Sequence, residues 1–303
     1  MYPFEYDKVP LNPRVEKRGN HNLIIIDAPY EPDVPQSKRI HIYDFQAEPP
    51  FMNLIFLHGI GNGNIPYLMW FGEKFRNHGI RTFFLILPYH HERAPKSWTG
   101  GEPFFSSSPS HCVVRFHQAV IDVRRTVDYI ETISNLPVSV MGFSFGGMIA
   151  TMALAIDKRI KKGILAFTGG DWRWINWYSS YLESVRIMYK EKGNEMGCRS
   201  ENDCVLKRGS AVKTVEGFNT VEDIFKHPVT CYHYDPVSYG KFVSQKILFF
   251  HGIFDRVISK KSTRALLSVL KDVQSVLIPS GHKSSYFFRR FIARKSIRFL
   301  KDS

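Results

Sequence analysis

The chain has 303 residues, 44% of them hydrophobic, enough to bury a large core as one big α/β domain or two smaller ones. No apolar run approaches bilayer-spanning length, and the polar, proline-dotted start from Met1 to Asn20 lacks a signal-peptide core, so a soluble cytoplasmic protein without stable membrane insertion is expected. The net charge of +13 invites a nucleic-acid or anionic-membrane reading, but the cations are scattered, with modest clusters only at Lys158 to Lys162 and Arg289 to Lys301.

Both clusters fall where surface helices or helix ends are expected. A solvated basic face is therefore expected rather than a nucleic-acid partner, although such a face would still steer an anionic substrate inward. The 24 Phe and 14 Tyr exceed what a core alone suggests and point to an apolar pocket or lid. Cys112, Cys198, Cys204 and Cys231 form no CxxC or zinc pattern; reduced thiols are expected, with a Cys198–Cys204 bridge left open.

In chain order, Asn22 to Ala28 and Arg39 to Phe45 read as two strands separated by proline-containing turns, an antiparallel edge of a sheet. Asn53 to Leu57 is a continuous apolar run of the kind buried on both faces, and it ends at the flexible loop His58-Gly59-Ile60-Gly61-Asn62-Gly63. Pro66 to His78 has helical spacing, with Leu68, Phe71 and Phe75 on one face and Gly79 as the stop. Arg81 to Leu87 is a further buried strand. After it come Tyr89-His90-His91-Glu92-Arg93 and a long loop through Ser110, a length that marks a functional or mobile segment.

Val113 to Ile133 is an amphipathic helix on Phe116, Val120, Val123, Val127 and Ile130. The apolar run Leu136 to Val140 then enters Met141-Gly142-Phe143-Ser144-Phe145-Gly146-Gly147, followed by small residues up to Asp157. Lys162 to Thr168 is one more strand, closed by Gly169-Gly170-Asp171. From Trp172 to Phe242 no strand is evident, only short helical pieces. The sheet resumes at Lys246 to Phe250 and ends at His251-Gly252-Ile253-Phe254-Asp255. A helix over Lys261 to Leu270, a strand over Gln274 to Ile278, the turn Pro279-Ser280-Gly281-His282 and a basic helix over Ser284 to Leu300 complete the chain.

Strands alternating with helices imply a mostly parallel sheet with its ligand site beyond the carboxyl ends of the strands, and His58, Ser144, Asp255 and His282 all fall at such ends. Strand, GxSxG and helix together form a nucleophile elbow: a serine at the tip of a sharp, strained turn, with glycines two before and two after it so that strand and helix pass closely. A serine hydroxyl needs a base within hydrogen-bond reach, for which His282 is the candidate, and an acid to orient that base. Asp255 is the first candidate for the acid and Asp171 its rival, since it too follows a strand.

On these motifs the chain resembles the α/β-hydrolases, serine esterases and lipases among them, from about Ile40 onward. The order Ser144, Asp255, His282 is the order that fold imposes. The resemblance implies a mostly parallel central sheet flanked by helices, with a helical cap inserted after the sixth strand: residues 1–170 and 243–303 as core, 171–242 as cap. It also implies oxyanion donors at the N–H groups of Ile60 and Phe145 and a bracing role for His58. His58, His90 and His91, with Arg93, are expected at the mouth of the site, and Trp172, Trp174 and Trp177 as cap core or acyl-pocket wall. His90-His91-Glu92 looks like a metal cluster, but adjacent loop histidines do not readily share one ion, and no metal or cofactor is expected.

The expected activity is hydrolysis of a small-molecule ester or thioester with an apolar acyl part. A peptidase or acyltransferase using the same residues, and a non-catalytic binding protein of this shape, stay open. Substrate, acyl-chain length and oligomeric state are not legible.

Overall fold

The computed structural model describes residues 3–7 and 9–302; Met1, Tyr2 and Lys8 of the polar start lie outside the described residues. One nine-stranded sheet organises the chain: β1 (Arg14–Arg18), β2 (His21–Asp27), β3 (Arg39–Phe45), β4 (Met52–Leu57), β5 (Ile80–Ile86), β6 (Val138–Phe143), β7 (Ile160–Ala166), β8 (Lys246–Gly252) and β9 (Val273–Ile278). The spatial order is β1-β2-β3-β5-β4-β6-β7-β8-β9. Pairings from β1 through to β5 on β3 are antiparallel; the remaining five, from β5/β4 to β8/β9, are parallel.

Central strands are apolar on both faces because helices cover both. Ile55 and Leu57 of β4, Phe83 and Leu85 of β5, Val138 and Val140 of β6, and Ile247 and Phe249 of β8 point into one core. Their neighbours Leu54, Phe56, Phe84, Ile86, Met141, Phe143, Leu248 and Phe250 point into the other, as the two-residue period of a strand requires. The first core is closed by α2 (Pro109–Ile133) and α3 (Phe145–Ile156). The second is closed by α1 (Ile65–Arg76) and, at the C-terminal end, α11 (Arg289–Lys301).

Between β7 and β8 lie α4 (Trp172–Tyr178), α5 (Glu183–Lys192), α6 (Glu201–Arg208), α7 (Ala211–Glu216), α8 (Val221–Lys226) and α9 (Pro236–Gly240), with no strand among the described residues. Their buried side chains, Trp172, Tyr232, Tyr234, Val237 and Tyr239 among them, merge with the α2/α3 core. One helix remains, α10 (Lys260–Leu267), between β8 and β9.

The mixed sheet flanked by helices matches the expected class. Three details differ. β1 has no signal in the sequence, since all five of its residues are exposed, so the helical segment follows the seventh strand from the N-terminus rather than the sixth. α2 starts four residues before Val113, where Pro109 occupies the first turn and costs no hydrogen bond. The C-terminal helix is preceded by a separate 3-10 turn over Lys283–Phe288.

Candidate active site

β6 runs into Ser144, whose φ of 52° and ψ of −117° put a non-glycine residue in a sparsely populated region, a strain that surrounding structure must hold in place. Its N–H is fixed to the Ala166 carbonyl of β7 at 2.8 Å. The flanking glycines are steric necessities. A Cβ on Gly142 would sit 2.2 Å from the Gly146 carbonyl oxygen, one on Gly146 2.4 Å from the Leu57 oxygen, and one on Gly147 2.6 Å from Thr168 Cβ. The sequence can therefore turn from strand to helix only with these residues bare.

Asp255 and His282 arrive from the turns after β8 and β9. Asp255 Oδ1 accepts from the N–H groups of Val257 and Ile258, both at 2.9 Å, which aims Oδ2 at His282 Nδ1, 2.8 Å away. On the opposite side of the ring, His282 Nε2 lies 2.8 Å from Ser144 Oγ. The Ser285 hydroxyl donates to the His282 carbonyl at 2.6 Å, and the ring stands edge-on to Phe167. A carboxylate takes only a proton-bearing Nδ1, which leaves Nε2 as the acceptor facing the serine hydroxyl.

Asp171 is elsewhere. It accepts from Arg173 N–H at 3.2 Å as the N-cap of α4 and pairs with buried Arg208 at 3.2 Å, while Arg208 reaches Asp235 at 2.6 Å. Burial pushes the Asp171 carboxyl above its ordinary value, against the pull of Arg208.

The loop after β4 is braced from behind by two buried histidines. His58 Nδ1 donates to the Gly59 carbonyl at 2.7 Å and its Nε2 accepts from Leu87 N–H at 3.0 Å. His90 Nδ1 donates to the Pro88 carbonyl at 2.8 Å and its Nε2 accepts from Gly61 N–H at 3.2 Å. Burial holds His58 well below the ordinary imidazole range and His90 at about 4, so both stay neutral and each can give on one side and take on the other. From the front, Asn64 Nδ2 donates to the carbonyls of Gly59 (3.1 Å), Ile60 (2.7 Å) and Gly61. With these carbonyls engaged, the N–H groups of Ile60 and Phe145 have no backbone acceptor among the described residues.

A cleft of about 570 Å³ opens over Ser144. Leu68 and Phe71 of α1, Phe143, Phe167 and Ile292 of α11 form its apolar wall, and Tyr67, Tyr181, Lys283 and Tyr286 stand around it. Sequence reasoning missed this wall, because Leu68 and Phe71 carry the same helical spacing that a core face carries.

None of the six residues expected at a substrate pocket lines the cleft. His58 and His90 are fully buried behind the loop, and His91 turns to Glu92, 2.6 Å away. Arg93, expected at the mouth, is also fully buried, bound to Asp122 at 2.6 Å and to the Ile86 carbonyl at 2.7 Å. Trp172 packs edge-on to Phe116 in the main core and Trp177 against Tyr189 inside the helical segment, whereas Trp174 lies under Lys261. All four cysteines are buried free thiols. Among the described residues no three His, Cys, Asp or Glu side chains are arranged to hold a metal ion, and no helix is long and apolar enough to cross a membrane.

No protein-family model matches the chain, and a search among curated proteins finds no match. Solved structures do resemble it. An acetyl xylan esterase from Paenibacillus sp. R4 superposes with a TM-score of 0.66 at 15% identity, over 95% of this chain and 90% of its own. A cold-adapted esterase from an Arctic intertidal metagenomic library does so with a TM-score of 0.56 at 15% identity, over 96% and 98%. An enol-lactonase from Burkholderia xenovorans LB400 gives 0.56 at 15%, over 87% and 97%. Strand order, elbow and these superpositions agree: the chain has the α/β-hydrolase fold.

Proposed function

We propose that the protein is a serine hydrolase of carboxylic esters or thioesters. The observation that carries this reading is the unbroken hydrogen-bonded line from Asp255 through His282 to Ser144, 2.8 Å at each step. In the proposed reaction His282 Nε2 takes the hydroxyl proton as Ser144 Oγ attacks the carbonyl carbon, and Asp255 steadies the imidazolium so formed. The N–H groups of Ile60 and Phe145 receive the oxyanion, each contributing about 3 kcal/mol in the transition state. His282 then returns the proton to the leaving oxygen or sulfur, and water repeats the sequence on the acyl-enzyme.

The wall of Leu68, Phe71, Phe143, Phe167 and Ile292 supports an apolar acyl part, and a cleft of about 570 Å³ is of a size that encloses a small organic ligand. No carboxylate stands in that wall to hold a peptide amine, which favours esters over peptides. In this reading residues 171–242 act as a cap that contributes Tyr181 to the cleft, with residues 1–170 and 243–303 as the catalytic core.

Hydrolysis of p-nitrophenyl esters of graded chain length tests it. Turnover is expected to rise from acetate to a medium chain and to fall by about 10³-fold or more in Ser144→Ala. A Ser144→Ala protein as fast as wild type overturns the proposal.

A further inference from the structure

α11 is a basic helix whose outer cations meet aromatic rings, Arg294 over Phe291 and Lys301 over Phe51, but no carboxylate. Arg290, Arg294 and Arg298 are exposed at i, i+4 and i+8, a line about 12 Å long, and exposed Lys301 extends it. The helix contains no acidic residue, and no ion pair among the described residues engages these four cations. Glu73, the one carboxylate of α1, is already paired with Arg76 at 2.9 Å.

Between α1 and α11 runs an open groove of about 690 Å³ that joins aromatic and basic side chains: Trp70, Lys74, Arg290, Phe291 and Arg294. The same two helices wall the cleft over Ser144, α1 through Leu68 and Phe71 and α11 through Ile292. Large apolar side chains are exposed at, or next in the chain to, residues of that site. Phe287, next in the chain to cleft residue Tyr286, is 82% exposed; Phe254, next to Asp255, is 65% exposed; Tyr181 and Tyr67 of the lining are 51% and 39% exposed. Tyr67 and Tyr286 touch, their ring centres 4.8 Å apart, and contiguous exposed apolar surface of this kind marks an interaction site.

We propose that the α1/α11 face docks on an anionic lipid surface and that the cleft draws its substrate, an acyl ester of a lipid, from that surface. Cations alone fit any polyanion. The combination with protruding aromatics fits a bilayer interface, where basic side chains meet head groups and rings enter the acyl boundary. A duplex nucleic acid would answer the arginines but leave Phe287 in water, and has no use for an apolar pouch bordered by the same two helices. The docking half stands on surface chemistry alone; the substrate half rests on the hydrolase reading.

Co-sedimentation separates the two. Wild type and Ser144→Ala are expected to bind phosphatidylglycerol vesicles equally, at least tenfold more tightly than phosphatidylcholine vesicles, and to release them in roughly 1 M salt, where screening acts within about 3 Å. Each Lys or Arg near the surface is worth roughly fivefold. The double variant Arg290→Glu with Arg294→Glu is thus expected to lose tenfold or more of vesicle binding while hydrolysing soluble p-nitrophenyl butyrate as wild type does. Phe287→Ala is expected to weaken binding severalfold with little change in salt sensitivity. Equal binding to both vesicle types, unchanged binding in the charge-reversed variant, or binding to duplex DNA or polyglutamate as tight as to phosphatidylglycerol overturns the docking proposal. Vesicle binding without any Ser144-dependent ester turnover overturns the hydrolase reading instead and leaves docking intact.

Discussion

Ser144 is held in a conformation that costs a non-glycine residue on the order of 1–3 kcal/mol, and bare Gly142, Gly146 and Gly147 let strand and helix close tightly around it. That closeness is why the elbow is legible in the sequence: the spacing of bare residues is a direct record of backbone contact. The carboxylate partner of His282 was less legible. Asp171 and Asp255 both follow strands, and sequence position alone does not separate them; in space Asp255 meets His282, while Asp171 is spent on Arg208 and the N-terminus of α4. Asp255→Asn is accordingly expected to lower kcat on the order of 10⁴-fold, since an amide no longer fixes the tautomer, and Asp171→Asn to change it by less than about tenfold. A larger loss in Asp171→Asn, measured on the same p-nitrophenyl ester, would reverse the assignment.

Elements divide the same way. Strands β4 to β8 are readable because burial on both faces leaves an apolar run, whereas β1 is not, being five exposed residues recruited by pairing with β2. α1 was expected as a helix with Leu68 and Phe71 on one face, and both are buried in the second core; that they also border a cleft depends on what α11 brings opposite, which no local pattern records. The tryptophans of α4 misled for a related reason, since a large ring in a helix fits a core as well as a pocket. The β7–α4 junction shows what holds the helical segment down. Asp235 accepts from the N–H groups of Asp171 (2.8 Å), Trp172 (3.0 Å) and Val237 (3.0 Å) and pairs with Arg208, which is buried. Asp235→Asn leaves that guanidinium underpaired in low dielectric, and a loss of about 3–5 kcal/mol is expected. Urea unfolding measures it; a shift below about 1 kcal/mol would show that the junction is not a stabilising one.

At the scale of the whole molecule, the buried histidines make stability depend on pH. Burial holds His90 and His117 at about 4, below the ordinary value of 6.5, so each is neutral when folded and takes up a proton on unfolding in acid. The unfolded chain therefore binds more protons between pH 6.5 and about 4, and stability falls as pH falls through that window, by on the order of 1.4 kcal/mol per pH unit for each. His117→Gln, which can still donate to the His233 carbonyl, is expected to remove about one such contribution from the slope of urea stability against pH. A slope unchanged by the substitution would contradict the origin given for it.

Whether Ser144 is an activated nucleophile decides the function. Treatment with a fluorophosphonate, followed by peptide mass analysis, is expected to find the phosphonyl group on Ser144 in the wild-type protein, with labelling slowed at least a hundredfold in His282→Ala and absent from that peptide in Ser144→Ala. An unlabelled Ser144 in folded wild-type protein, or a rate unaffected by loss of the imidazole, would mean that the line of contacts from Asp255 to Ser144 does no chemistry.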